Sequence, residues 1–304
     1  MKSAVLFLVF NRPETTTRVF EAIRAARPPR LYVAADGPRA TRQGEAKRCE
    51  AVRAIATTVD WPCELKTLFR DTNLGCRMGV SSGIKWFFEQ EEEGIILEDD
   101  VLPISSFFTY CDDLLAHYRN DDRVAAVSGC NLVANQYCSP DSYFFSRYTH
   151  VWGWATWRRS WNHYDVEMTD WPAWDNQGGL DQEFSDRSAA AFWRYIFERV
   201  YRGHIDTWDY QWLFSCWKRG AVCALPGINQ TYNLGFNADA THTTSDMPRY
   251  LLESQPRAMT FPLTHPGTVH RSLEADRAIY RIAFARSFYS KIKLALKRLV
   301  GALH

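Results

Sequence analysis

Along the first 130 residues, short strand-like apolar runs alternate with longer segments in which apolar side chains recur every three or four positions. The runs at 5–10, 31–35, 63–69, 94–97 and 124–128 read as strands, and 14–27, 45–59, 78–91 and 107–118 as helices. In the first helix Val19, Phe20 and Ile23 fall on one side; in the third, Val80, Ile84, Phe87 and Phe88 do. Repeated β-α alternation predicts an α/β fold, with a Rossmann-like, mostly parallel sheet between helices. Past Asn135 the pattern changes to turns and aromatic clusters. A boundary near Pro140 therefore divides the chain into 1–140, 141–250 and a tail at 251–304. No repeat, low-complexity tract or Gly/Ser linker separates the first two parts, so they are expected to share one continuous fold.

Within the tail, residues 287–303 place Phe288, Ile292, Leu296 and Leu299 on one helical face and Lys291, Lys293, Lys297 and Arg298 largely elsewhere. Such a basic amphipathic helix either lies on an anionic membrane surface or packs onto its own domain.

Composition narrows the picture only in places. With 304 residues, 46% of them hydrophobic, the chain can bury a sizeable core. Lys+Arg of 36 against Asp+Glu of 35 leaves a net charge of +1, so no global field recruits nucleic acid. Ten of the 12 tryptophans lie between Trp152 and Trp217. Their flat faces suit sugar rings, and a bulky core is the alternative. The eight cysteines form no C-x-x-C pair and read as reduced thiols of a cytoplasmic protein. The apolar run at 4–10 ends in Asn11-Arg12-Pro13, as a first strand does and a signal peptide does not. No stretch approaches the roughly 18 apolar residues of a membrane span. The expected location is the cytoplasm, with peripheral contact at the inner membrane face if the tail binds lipid.

The candidate chemistry begins where Gly94-Ile95-Ile96-Leu97, a strand covered on both faces, runs into Glu98-Asp99-Asp100. In open α/β sheets ligands sit beyond the carboxyl ends of the strands. Three carboxylates at that point call for a cation. Mg²⁺ or Mn²⁺ takes such oxygen ligands and fills its other positions with water and substrate phosphate, so a diphosphate is the expected guest. An acid-rich surface turn is the plainer alternative. The first strand is followed by Asn-Arg-Pro in place of G-x-G-x-x-G, which disfavours a nicotinamide enzyme.

Phe10-Asn11-Arg12-Pro13, Asp36-Gly37, Asn73-Leu74-Gly75, Glu98-Asp99-Asp100, Trp208-Asp209 and the segment from Gly235 to Thr243 occur in this order. In this the chain resembles GT-A glycosyltransferases over residues 3–244, most of all bacterial relatives of the N-acetylglucosaminyltransferase I type. The resemblance implies a GT-A fold in which 1–140 holds the nucleotide-sugar and 141–250 the acceptor. It implies Arg12 against diphosphate or base, Asp36 on uracil or ribose, and Arg77 as a further nucleotide contact. Within the triplet it implies that Asp100 ligates the metal, Asp99 contacts ribose and Glu98 supports both. His242 is implied to close on metal or diphosphate.

An inverting transfer needs a carboxylate base on the acceptor side. Asp209 is the first candidate and Asp206, three residues earlier, its rival. The resembled pattern places adjacent acids here, whereas this chain has Asp209-Tyr210-Gln211, so the base stays open between the two and retention is not excluded. Trp154 and Trp208 are candidate walls for the acceptor.

The expected activity is metal-dependent transfer of a sugar from a nucleotide-diphosphate donor, UDP foremost, to a glycan or glycolipid hydroxyl. A phosphohydrolase or nucleotidyltransferase using the same acids would want more metal ligands, or a Gly-rich basic loop after the first strand. A non-catalytic carbohydrate-binding module would not require acids beside an apolar strand.

Overall fold

The computed structural model describes residues 1–235 and 252–285. His242 and the basic amphipathic stretch at 287–303 lie outside the described residues.

Strand β1 (Ala4–Val9) leads through Arg12 into helix α1 (Pro13–Ala26), where Pro13 occupies the first helical turn and its missing N–H costs nothing. The alternation continues with β2 (Arg30–Ala35), α2 (Glu45–Ala56), β3 (Glu64–Phe69), α3 (Gly75–Phe88) and β4 (Glu93–Glu98). A short β5 (Val101–Pro103), α4 (Ser105–Tyr118) and β6 (Val124–Ser128) follow. The second part adds β7 (Tyr143–Ser146), β8 (Trp154–Trp157), α5 (Arg158–Trp161), α6 (Trp171–Asn176), α7 (Gly179–Glu183), α8 (Arg187–Tyr201), α9 (Asp209–Lys218), β9 (Val222–Pro226) and β10 (Thr231–Asn233). Helix α10 (Leu273–Ile279) runs into a π-helical turn at Tyr280–Ala285.

Eight strands form one sheet in the order β3-β2-β1-β4-β8-β6-β9-β7. β1 to β4 are parallel to one another, β8 is antiparallel to both β4 and β6, β9 is parallel to β6, and β7 is antiparallel to β9. Hence only β7 and β8 oppose the rest, and the fold is mixed α/β with a mainly parallel central sheet flanked by helices. β8 is the seam between the two sequence regions, with Ile95 beside Ala155 and Ile96 beside Trp154.

Alternating residues of each strand feed two cores. Val5, Phe7 and Val9 join Ile95, Leu97 and the inner faces of α1, α2 and α4. Leu6, Leu8 and Ile96 face α3, α8, α9 and most of the tryptophans. Because both faces are covered, the strands read as continuous apolar runs, as parallel strands do. In the tail, α10 is tied to the sheet by Asp276, which accepts from the Ser146 hydroxyl at 2.6 Å and from Arg147 Nε at 3.1 Å. All eight cysteines are free thiols. No helix among the described residues is long and apolar enough to cross a membrane.

The turn after β1 is fixed by a buried carboxylate on α2. Glu45 accepts from Asn11 Nδ2 at 2.8 Å, from the Arg39 backbone N–H at 2.7 Å and from Arg39 Nε at 3.0 Å. The Arg39 hydrogen bonds hold the Glu45 carboxyl down at about 2, against an ordinary value of 4.5. A carboxylate whose pKa is depressed by folding contributes stability that is complete above its unfolded value and is lost on acidification through the folded one. Melting temperature should therefore fall between about pH 4.5 and pH 2 partly through this group, and Glu45→Gln should flatten that limb while lowering stability at pH 7. An unchanged acid limb in the variant would mean that Glu45 does not carry it.

Candidate functional site

The carboxyl end of β4 lies beside the carboxyl end of β1, with Leu8 opposite Glu98. That register brings the Asn-Arg-Pro turn over the acidic triplet. The Phe10 N–H donates to Asp99 Oδ2 at 3.0 Å, and Arg12 Nη1 reaches Asp100 Oδ2 at 2.6 Å and Asp99 Oδ1 at 3.4 Å. Arg12, expected on the nucleotide, is here the counter-ion of the triplet. Burial works against its charge, but Asp99 and Asp100 outweigh it and raise the guanidinium pKa.

One cation does not balance three anions. Burial, then Asp100, lifts the Asp99 carboxyl to about 7 in spite of Arg12. Burial, then Asp100, Asp99 and Asp209, pushes Glu98 well above the ordinary carboxylate range. Asp209 thus acts on Glu98 although more than a hundred residues separate them in sequence. The antiparallel pair β5 and β10 covers the triplet from the other side, with the Leu234 N–H donating to the Asp100 carbonyl at 2.7 Å. Gly235 follows so closely that a Cβ would stand 2.4 Å from Asp100 Oδ2. Any larger residue there would displace the carboxylate.

Asp209 is the first residue of α9, accepting from the Thr207 hydroxyl and from the Tyr210 N–H at 3.0 Å. The positive end of a helix favours a carboxylate in its charged form. Asp206, its rival, is engaged elsewhere: its carboxylate accepts from the N–H groups of Cys76 at 3.3 Å and Arg77 at 3.1 Å, capping α3 from a distant segment. Gly75 opens that helix with φ of 80°, a conformation favouring glycine, and a Cβ there would meet Asp206 Oδ2 at 3.0 Å. Between these groups sits Cys76, a thiol that sequence inspection did not single out. Burial, then Glu98, Asp209, Asp206 and Asp100, raises its pKa and keeps it protonated.

Four other expected contacts are occupied by the protein itself. Asp36 accepts from the N–H groups of Gly37 at 2.9 Å, Leu74 at 3.0 Å and Gly75 at 3.2 Å, and from Asn73 Nδ2 at 2.9 Å. Burial raises its pKa and those donors oppose the rise. Asp36-Gly37 and Asn73-Leu74-Gly75 are thus two halves of one lock, and the carboxylate expected on uracil or ribose is spent on it. Arg77 turns away from the triplet to the Val166 carbonyl at 2.8 Å and Glu167 at 2.7 Å. Trp154 and Trp208 are 1% and 3% exposed and stack on each other with centroids 5.7 Å apart. They pack the core and offer a ligand no face.

The donor set suits a hard divalent ion to the extent that Asp100 presents oxygen beside acids left short of positive charge. Among the described residues, no group of three or more His, Cys, Asp or Glu side chains forms a ready-made cage. A cation held through one or two carboxylates would complete its shell with phosphate and water.

No protein-family model matches the chain, and no curated protein does. Solved structures align with it loosely. An apo UDP-glucose pyrophosphorylase is 8% identical, with a TM-score of 0.39 over 77% of this chain and 93% of its own. The apo form of mouse xyloside xylosyltransferase 1 is 10% identical, with a TM-score of 0.37 over 71% and 81%. HddC from Yersinia pseudotuberculosis is 7% identical, with a TM-score of 0.30 over 52% and 77%. Superpositions this loose say nothing further about the chain, whose reading rests on its own residues.

If Asp36 and Asp206 are internal fasteners, their loss is read in stability. Asp36→Ala removes an acceptor of several N–H groups and should cost about 2–3 kcal/mol in urea unfolding. Asp206→Ala removes a helix cap and should cost about 1 kcal/mol. A cost for Asp36→Ala within about 0.5 kcal/mol, as for an ordinary surface change, would show that the loop is held otherwise.

Proposed function

We propose that this protein is a metal-dependent glycosyltransferase of the GT-A type, moving a sugar from a nucleotide-diphosphate donor, UDP foremost, to a hydroxyl of a glycan or glycolipid. What supports the reading is the electrostatic influence of Asp209, from the second half of the chain, on Glu98 at the acidic end of β4, beside Asp99 and Asp100. In this reading Asp209 is the base and the end of β4 the diphosphate site.

In this reading Asp100 holds a Mg²⁺ or Mn²⁺ ion, with Asp99 beside it toward ribose and Glu98 beneath them. When bound, the ion neutralises charge that builds on the departing nucleotide diphosphate. Arg12, already on Asp99 and Asp100, steadies the carboxylates and lies within the same loop that meets the donor. Asp209, the first residue of α9, accepts the proton of the acceptor hydroxyl. The acceptor oxygen then bonds to the anomeric carbon as the bond from that carbon to the diphosphate oxygen breaks, and configuration inverts. Asp206 serves the fold rather than the proton transfer.

Titration of UDP in the presence and absence of Mn²⁺ tests the donor side. Binding should require the ion and be lost in Asp100→Ala. Asp209→Asn should keep that binding while transfer falls about 100-fold or more, the usual worth of a positioned base. Metal-independent UDP binding, or normal turnover by Asp209→Asn, would remove the reading. Release of pyrophosphate from a nucleoside triphosphate supplied with a sugar 1-phosphate, with no sugar transfer from a UDP-sugar, would replace it with nucleotidyl transfer.

A further inference from the structure

Behind Asp209, on the side of the chain rich in aromatic residues, lies a pocket of about 210 Å³ that none of the expected roles used. Its walls come from the 148–152 segment between β7 and β8, from α8 through Trp193, from the start of α9 through Asp209 and Tyr210, and from the π-helical turn through Phe284. We propose that this pocket binds a single uncharged, hydroxyl-bearing ring, the acceptor sugar, and presents one of its hydroxyls to Asp209. The inference relies on the transferase reading for the ring's role as acceptor, and on the pocket alone for its chemistry.

Four observations lead there. Part of the lining is aromatic: Trp152, Tyr210 and Phe284 are partly buried and keep accessible surface, whereas Tyr148 and Trp193, 1% and 0% exposed, are core packing. Aromatic faces of this kind suit the apolar C–H face of a ring whose edge is polar.

Among the described residues, no lysine or arginine lines the pocket. Among the described residues, nothing on the lining offsets the lost hydration of a phosphate, sulfate or carboxylate, a loss that buried ions do not tolerate. His150 supplies no positive charge, since burial lowers its pKa to about 4 and the imidazole is neutral at pH 7. Among the described residues, the acidic side chain on the lining is Asp209, which does not favour an anion.

The same wall carries polar atoms with unmet hydrogen-bonding capacity. Thr149 Oγ1 and His150 Nε2 are buried and have no partner. A buried polar group in that state is destabilising, and a ligand hydroxyl relieves it. Size then sets the length of the guest: sites for drug-sized ligands enclose roughly 300–1,000 Å³, so 210 Å³ admits one ring and leaves the rest of an acceptor chain outside.

Saturation-transfer NMR on the full chain, with methyl glycosides as probes, tests the proposal. Neutral hexosides or N-acetylhexosaminides should receive saturation, and methyl glucuronide and glucose phosphate should not. Thr149→Val and His150→Phe keep side-chain volume while removing the polar atom. Each should weaken the neutral glycoside about 2- to 10-fold, the worth of one hydrogen bond, with manganese-dependent UDP binding unchanged. If His150→Phe disturbs folding, the isosteric Thr149→Val still decides. Equal or better binding of the anionic probes, no binding of any neutral glycoside, or neutral-glycoside affinity unchanged in Thr149→Val would overturn the proposal. Neutral-glycoside binding that weakens as stated, in a protein that fails to bind UDP, would uphold the pocket and remove the transferase reading instead.

Discussion

The arrangement around the end of β4 depends on an imbalance of charge: three adjacent carboxylates and one guanidinium. Two like charges 4 Å apart repel by about 4 kcal/mol at the effective dielectric typical of a protein surface. Arg12 offsets part of this by bonding Asp99 and Asp100, and the Phe10 N–H offsets a little more. The remainder is visible as proton affinity, with Asp99 raised to about 7 and Glu98 raised well above the ordinary carboxylate range. A site in that condition gains more from a second cation than any balanced ion pair would. Much of the surrounding chain keeps the acids in this state: Glu45 holds the turn bearing Arg12, and Gly235 leaves room for Asp100.

A second theme is that several conspicuous motifs act on the protein itself. Asp36, Asn73 and Gly75 close one loop against another, and Asp206 reaches across to cap α3. These contacts fix the start of α3, and with it Cys76, beside the acids of β4 and α9. Their effect on a ligand is indirect, through the position of the helix.

The tryptophans divide in the same way. Trp154, Trp161, Trp208 and Trp212 pack against one another within the second part of the chain. Trp193 is likewise fully buried, whereas Trp152 is only partly buried and lines the pocket beside Asp209. Aromatic abundance therefore serves the core first, with Trp152 left to the pocket.

The β-α alternation, the parallel strands β1 to β4 and the acidic end of β4 could be read directly, because strand and helix periods and an apolar run ending in acids are local properties. The bounds moved by a few residues: the helix expected at 78–91 is Gly75–Phe88, since Gly75 and the Asp206 cap start it earlier. The reversed direction of β7 and β8 was not legible, because strand direction depends on which neighbours close the sheet. The employment of Asp36, Asp206 and Arg77 was not legible either. A carboxylate followed by glycine looks the same whether it meets a ligand or the backbone N–H groups of a loop nearly forty residues away. The electrostatic influence of Asp209 on Glu98, and the pocket beside Asp209, arise only in the folded chain, for residues so far apart in sequence acquire a shared environment through folding alone.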